Sequence, residues 1–113
     1  MKKKPKHANL TAEALELVAA RFRVLAEPIR LRILQFLRDG EKNVSELTVL
    51  LSTTQPNMSK HLRVLQEAGL IGRRQAGNSV YCFVSDPSVF DLCDVVCTSL
   101  YAQMSATARI LKR

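Results

Sequence analysis

Residues 53–81 constrain the fold most, because the pattern of an amphipathic helix is followed there at once by that of a tight β-hairpin. Thr54 is suited to cap the start of the helix, and Gly69 to follow its last turn. Apolar residues recur at helical spacing and form one narrow stripe, made of Met58, Leu62 and Leu65. We therefore expect a helix that packs against a core with one side only.

The opposite side of this helix carries amide, hydroxyl and cationic groups. Amides can pair with adenine, guanidinium groups with guanine, and ammonium or hydroxyl groups with phosphate oxygens. The residues predicted to contact DNA from this helix are Gln55, Asn57, Ser59, Lys60, His61 and Arg63. For His61, on the flank of the stripe, packing with a phosphate hydrogen bond is favoured over base reading. An ordinary solvated helix face is the alternative interpretation.

The hairpin that follows is short and basic. Gly77 and Asn78 tolerate positive φ, so residues 76–79 can form a tight turn between two strands. Arg73 and Arg74 lie on the first strand and Asn78 lies near the tip. From there, all three are predicted to reach phosphates or the minor groove beside the helix.

A second, shorter helix is predicted just upstream. Asn43 and Glu46 have the spacing of a capping box, and the helix should end near Ser52. Residues 52–54 then form the turn between a supporting helix and a DNA-reading helix. The sequence predicts a winged helix-turn-helix of the α+β class, mostly helical, with about five helices and a two-stranded β-hairpin wing.

The flanking segments complete a single domain over residues 10–113. Helices are expected over about residues 11–25, from Pro28 onward, and over about residues 87–109, whereas the basic residues 1–9 are expected to be a disordered tail. The first and last helices carry apolar stripes that suit packing in the chain's own core or a homodimer. The residues predicted for the dimer interface are Leu15, Val18, Phe22, Val89, Cys93, Val96, Leu100 and Met104.

Charge and hydropathy narrow the choice of partner. The 113 residues carry a formal net charge of +7 and have a sequence pI of about 9.8, which favours a polyanion and places double-stranded DNA first. We find no apolar run long enough for a transmembrane helix and no signal-type segment, so no membrane partner and a cytoplasmic location are expected. No catalytic triad or phosphate loop is recognisable, so an enzyme is not expected.

Four linked segments together resemble the ArsR/SmtB family of winged-helix repressors. They read FRVLAEPIRLRILQFL, SELTVLL, TQPNMSKHLRVLQEAGLI and GRRQAGNSVYCF, and they cover about residues 22–84. The resemblance implies a homodimeric bacterial repressor that binds an operator near its own promoter. It also implies release when a metal, a metalloid or another inducer binds.

The three cysteines are the candidates for sensing an inducer. Cys93 and Cys97 are four residues apart on the last predicted helix, and Cys82 lies on the second strand of the wing. Three thiolates would suit trivalent arsenic or another soft metal ion. Packing as small apolar side chains, and thiol oxidation or reaction with sulfur species, remain open as alternatives. No cofactor is expected to be required for folding.

The family's usual metal sites are not matched. Arsenic- and lead-sensing members carry a Cys-Val-Cys-Asp-Leu motif where this chain has Asn-Val-Ser-Glu-Leu at residues 43–47. Zinc-sensing members carry a histidine-rich last helix, which Asp91 and Cys93 echo but which Met104 and Thr107 do not continue. An inducer would therefore need an unusual cysteine site. A protein-interaction module with the same fold and no specific operator is the alternative from another functional class.

Overall fold

The computed structural model describes residues 10–111, which contain five helices and three short strands. Their order is α1 (Ala12–Leu25), α2 (Pro28–Leu37), β1 (Lys42–Asn43), α3 (Val44–Leu50), α4 (Gln55–Glu67), β2 (Ile71–Ala76), β3 (Ser79–Val84) and α5 (Ser88–Leu111). The helix-turn-helix followed by a hairpin is confirmed. The prediction of a disordered tail over residues 1–9 falls outside the described residues.

Short polar side chains begin the helices where the sequence predicts. The Ala14 N–H donates to Thr11 Oγ1 at 3.1 Å, the Glu46 N–H to Asn43 Oδ1 at 2.7 Å, and the Asn57 N–H to Thr54 Oγ1 at 3.3 Å. Each bond satisfies one of the N–H groups that the first turn of a helix leaves without a partner. These caps fix where α1, α3 and α4 begin.

The core lies where α2, α3, α4 and the base of the hairpin meet. The stripe of α4 is wholly buried, with Met58, Leu62 and Leu65 each 0% exposed. It packs in one apolar cluster with side chains of the neighbouring elements, among them Ile33, Leu34, Leu47, Leu70 and Ile71. Gly69 adopts a φ of 79° just after α4 and turns the chain into β2. One side of α4 is therefore held inward and the other is left outward.

The sheet has three antiparallel strands in the order β1-β3-β2, one more than predicted. The hairpin is as expected: Ala76 pairs with Ser79 around a two-residue turn, and Gly77 has the φ of 62° that such a turn needs. The extra strand is Lys42–Asn43, paired with Cys82 and Tyr81. Asn43 is extended because it caps α3, and extended backbone beside a free strand edge can pair.

Polar clasps fix α1 and the start of α5 to this centre. Arg21 Nη2 donates to the Ala68 carbonyl oxygen at the end of α4 at 2.9 Å. At the end of α2, Arg38 makes two hydrogen bonds with Asp94 of α5, at 3.1 and 2.8 Å, and its guanidinium lies 4.9 Å from the centre of the Phe90 ring.

Among the described residues, no helix has the length and apolar character needed to cross a membrane.

The first turns of α5 and its later turns have different surroundings. Val89, predicted for the dimer interface, is instead 4% exposed and packs with Phe90 in the domain's own core. Farther along, the apolar side chains of α5 are mostly exposed, including Val96, Leu100 and Met104. On α1, Leu15, Val18 and Phe22 are exposed as well. Since α5 starts on the core and then leaves it, its apolar stripe serves two surfaces.

Truncation of the α4 stripe should destabilise the domain strongly. Leu62→Ala removes a side chain that is 0% exposed, so we expect the free energy of unfolding to fall by about 2–5 kcal/mol. The measurement is urea unfolding at a fixed protein concentration. Gln66→Ala, on the exposed side of the same helix, is the control and should change stability by less than about 0.5 kcal/mol. Equal effects of the two substitutions would contradict this account of the core.

Candidate nucleic-acid interface

The outward side of α4 presents the polar residues that the sequence predicts. Gln55, Lys60 and Arg63 are exposed, and Asn57 and Ser59 are half-buried. Asn57 Nδ2 donates to Thr53 Oγ1 at 2.9 Å, which orients the Asn57 amide at the start of the helix. This side of α4 therefore offers amide, hydroxyl and cationic groups to a ligand while the apolar stripe holds the helix in place.

His61 lies on the inner side of α4 and is only 6% exposed. Its Nδ1 accepts a hydrogen bond from Arg30 Nε at 3.1 Å, and Arg30 Nη1 donates to the Val24 carbonyl oxygen at 3.2 Å. Burial lowers the pKa of His61, the charges of Arg30 and Lys60 lower it further, and Glu27 acts in the opposite direction. This surrounding favours the packing interpretation, in which neutral His61 ties α4 to α2.

The two wing arginines have different environments because neighbouring residues of a strand point to opposite faces. Arg74 Nε donates to Glu41 Oε1 at 2.9 Å, Arg74 Nη2 binds the other carboxylate oxygen, and the guanidinium lies 4.9 Å from the centre of the Tyr81 ring. These hydrogen bonds lower the pKa of Glu41. Arg74 is thus bound by Glu41, just before β1, and by Tyr81 of β3, although the sequence pattern predicted the same role for both arginines.

Arg73 faces the other way and pairs across the strands with Cys82. Burial raises the pKa of the Cys82 thiol, and a hydrogen bond and the charge from Arg73 oppose that rise. Within residues 10–111, Arg73 forms no ion pair with a carboxylate. Of the two arginines, Arg73 therefore keeps the uncompensated charge.

An open groove of about 300 Å³ lies between the first turns of α3 and α4 and the wing. It brings together four residues that were predicted to bind DNA: Gln55, Ser59, Arg73 and Asn78. The other lining residues are Asn43, Val44, Ser45, Ser79 and Val80. Ser45 also lines the groove, although the sequence pattern indicated only that it belongs to the supporting helix. Its position next to the Asn43 cap, in the first turn of α3, is the sequence feature that could have predicted this location.

A second, apolar hollow of about 450 Å³ lies between α1, α2 and α5. Cys93 and Cys97 line it, together with Phe22, Leu25, Ala26, Leu31, Leu92, Val96 and Leu100. Burial raises the pKa of Cys93, and nearby Asp94 adds to this while Arg38 opposes it. The Cys93 thiol is thus kept protonated, and a thiophilic ligand would have to displace its proton.

Cys82 does not join this pair. It is 0% exposed on β3 and packs in the core, whereas Cys93 and Cys97 lie on α5. In the part of the chain that the structure describes, no three His, Cys, Asp or Glu side chains converge as a metal site. The predicted three-thiolate site within one protomer is therefore not formed, because the strand that carries Cys82 turns its side chain inward. Cys93 and Cys97 remain as a two-thiol candidate.

A helix-turn-helix with a basic wing and an outward polar helix face is typical of DNA-binding transcriptional regulators. A family model described as "Bacterial regulatory protein, arsR family" matches residues 27–72. The regulator NmtR of Mycobacterium tuberculosis is 37% identical over 87 residues, which cover 77% of this chain and 72% of NmtR. The chain belongs to the arsR family, whose members are transcriptional regulators and not enzymes.

Another relative and two solved structures agree with this assignment. A probable mercury resistance operon repressor of Streptomyces lividans is 39% identical over 71 residues, 63% of this chain and 57% of the repressor, so the match spans little more than half of that relative. The crystal structure of Rv0081 from M. tuberculosis has a TM-score of 0.80 at 29% identity and covers 87% of this chain and 99% of Rv0081. A Mycobacterium bovis domain described as a homodimeric winged helix-turn-helix has a TM-score of 0.68 at 25% identity, covering 95% and 94% of the two chains.

Acidification should weaken the fold through His61. Because the pKa of His61 is lowered in the folded state, the unfolded chain binds this proton more readily. The stability that neutral His61 contributes is thus fully present above the pKa of histidine in the unfolded chain, and it is lost as the pH falls through the pKa of His61 in the folded protein. We therefore expect the free energy of unfolding to fall between about pH 7 and pH 5. Urea unfolding across this range measures it.

His61→Gln is the matched variant, because it keeps a polar side chain and removes the titration. The carboxyl groups of Glu41 and Asp94, whose pKa values are lowered, titrate below this range. A pH dependence between about pH 7 and pH 5 that is the same in His61→Gln and in the unchanged protein would show that His61 is not its source.

Proposed function

We propose that this regulator is a dimeric repressor that inserts α4 into the major groove of its operator and rests the wing on the adjacent backbone. The observation that carries the proposal is the groove where Gln55, Ser59, Arg73 and Asn78 meet beside the outward face of α4. Amide, hydroxyl and guanidinium groups on one surface suit base edges and phosphates together. The net charge of +7 adds a general attraction to DNA.

Dimerisation is supported by the apolar side chains of α1 and α5 that are exposed among residues 10–111. Leu100 is 52% exposed and Met104 69% exposed on α5, and Phe22 on α1 is 51% exposed. Patches of this kind mark protein interfaces. The similar M. bovis domain is described as homodimeric. A two-fold pair would present two α4 helices to half-sites one helical turn apart, about 34–36 Å from centre to centre.

Release by a small inducer is the second part of the proposal, with Cys93 and Cys97 as its site. Their spacing of four residues lets both thiols act from one face of α5, and the hollow that they line continues into the exposed faces of α1 and α5. Two thiolates would supply two of the three sulfur ligands that suit trivalent arsenic, or would bind a soft metal ion. Ligation there would shift the dimer helices and lower operator affinity through a coupling of about 1–3 kcal/mol. Thiol oxidation at the same pair is the alternative trigger.

The promoter region upstream of the gene should contain an inverted repeat that the protein protects in footprinting. Arg63→Ala removes an exposed guanidinium from α4, so we expect operator affinity to fall about tenfold or more. Arg109→Ala, near the end of α5, makes the same charge change away from the groove and should have little effect. Salt-sensitive binding without a protected repeat would favour the protein-interaction module instead.

Inducer release should depend on the α5 thiols. In titrations with arsenite, cadmium and peroxide, we expect at least one to weaken operator binding by about 5- to 150-fold. The double variant Cys93→Ser, Cys97→Ser should bind the operator normally and lose this response. Cys82→Ala, in the core, is the control and should keep it. Unchanged release in the double variant would exclude the pair as the sensor.

A further inference from the structure

We propose that the groove between α3, α4 and the wing seats one phosphate of the operator backbone, with Arg73 supplying the positive charge and Ser45 an additional contact from the supporting helix. The inference rests on the proposed function, since it names the part of the DNA that this groove holds. It also adds α3 to an interface that was expected only from α4 and the wing.

The charge distribution in the groove favours an anion. Among the described residues that line it, Arg73 is the one charged residue, and none is an aspartate or a glutamate. Across the described residues Arg73 has no carboxylate partner, whereas Arg74 next to it is paired with Glu41. A guanidinium has five N–H donors, so the contact of Arg73 with Cys82 leaves donors for a ligand.

The neutral groups around Arg73 suit phosphate oxygens. Ser45, Ser59 and Ser79 contribute hydroxyl groups from α3, α4 and β3 respectively, and Gln55 and Asn78 contribute amides. Hydroxyl and amide groups commonly bind the DNA backbone. Because these groups come from two helices and the wing, they can approach one phosphate from several sides. Such an arrangement selects a tetrahedral anion more readily than a flat base edge.

The position of the groove favours a backbone phosphate over a free one. It lies between the helix that would read the major groove and the wing that would approach the adjacent minor groove, and a strand of the duplex passes between these two grooves. The exposed side of α4 also carries Lys60 and Arg63, which extend the positive surface beyond the groove. One phosphate in the groove would therefore set the register of α4 along the DNA.

Methylphosphonate scanning of the operator tests this phosphate-binding site, because each substitution replaces one charged phosphate oxygen by a methyl group. We expect one position in each half-site where the substitution weakens binding by the unchanged protein about tenfold. For the Arg73→Gln variant, the same DNA substitution should weaken binding by less than about twofold, because this variant lacks the positive charge that would contact the phosphate. Ser45→Ala should show a partly reduced sensitivity at this same position.

Three matched variants control for folding and for general charge. Arg73→Lys keeps the charge and should keep the sensitivity at that phosphate. Arg74→Gln removes a wing arginine that is already paired, and Ser99→Ala removes an exposed hydroxyl of α5; both should retain the full effect. Arg73→Gln should also reduce the slope of log affinity against log salt by about 1, while Arg74→Gln leaves it nearly unchanged.

The outcomes separate this inference from the proposed function. Specific operator binding with equal methylphosphonate effects in the unchanged protein and in Arg73→Gln would overturn the phosphate-binding site and leave the repressor intact. Absence of specific operator binding by the unchanged protein would overturn both the phosphate-binding site and the proposed repressor function. Inorganic phosphate that binds to the DNA-free protein in an Arg73-dependent way at micromolar concentration would point to a free anion as the ligand and overturn the backbone assignment.

Discussion

The packing of one narrow apolar stripe decides what the rest of the domain can do. Met58, Leu62 and Leu65 are removed from water completely, and their burial orients α4 about its own axis. Because successive side chains of a helix are spaced at a fixed angle around its axis, burial of the stripe turns Gln55, Lys60 and Arg63 toward solvent. The tie from Arg30 to His61 joins the same helix to α2. The outward position of the proposed DNA-binding residues is thus a consequence of core packing.

Ion pairing determines which charges of a basic protein remain available. Arg38 is bound by Asp94 and Arg74 by Glu41, and both arginines also lie against aromatic rings. Exposed pairs of this kind contribute little to stability, but they neutralise a charge where it stands. Arg73 has no such carboxylate partner among the described residues, because the alternation of side chains along β2 turns it toward the groove. The distribution of free charge follows from the fold more than from the number of arginines.

A single protomer leaves much apolar surface exposed within the described residues. Its core occupies the centre, while α1 and most of α5 carry apolar side chains out to the surface. Cys93 and Cys97 lie where this unpartnered surface meets α2, in a hollow that is almost entirely apolar. A ligand held by both thiols would contact the elements that a second copy would also use. In the proposed dimeric repressor, this overlap would let inducer binding change the dimer geometry directly, and with it the spacing of the two α4 helices.

Local patterns in the sequence determined the helix starts, the buried stripe of α4 and the two-residue turn at Gly77, because caps, helical periodicity and positive φ depend on neighbouring residues. Contacts between distant residues were decided only by the tertiary structure. The pairing of Lys42–Asn43 with β3, the different fates of Arg73 and Arg74, the inward position of Cys82 and the burial of Val89 all depend on such contacts. Sequence spacing identified the inner and outer sides of α4, but what covers each face of an element is set by chain segments tens of residues away.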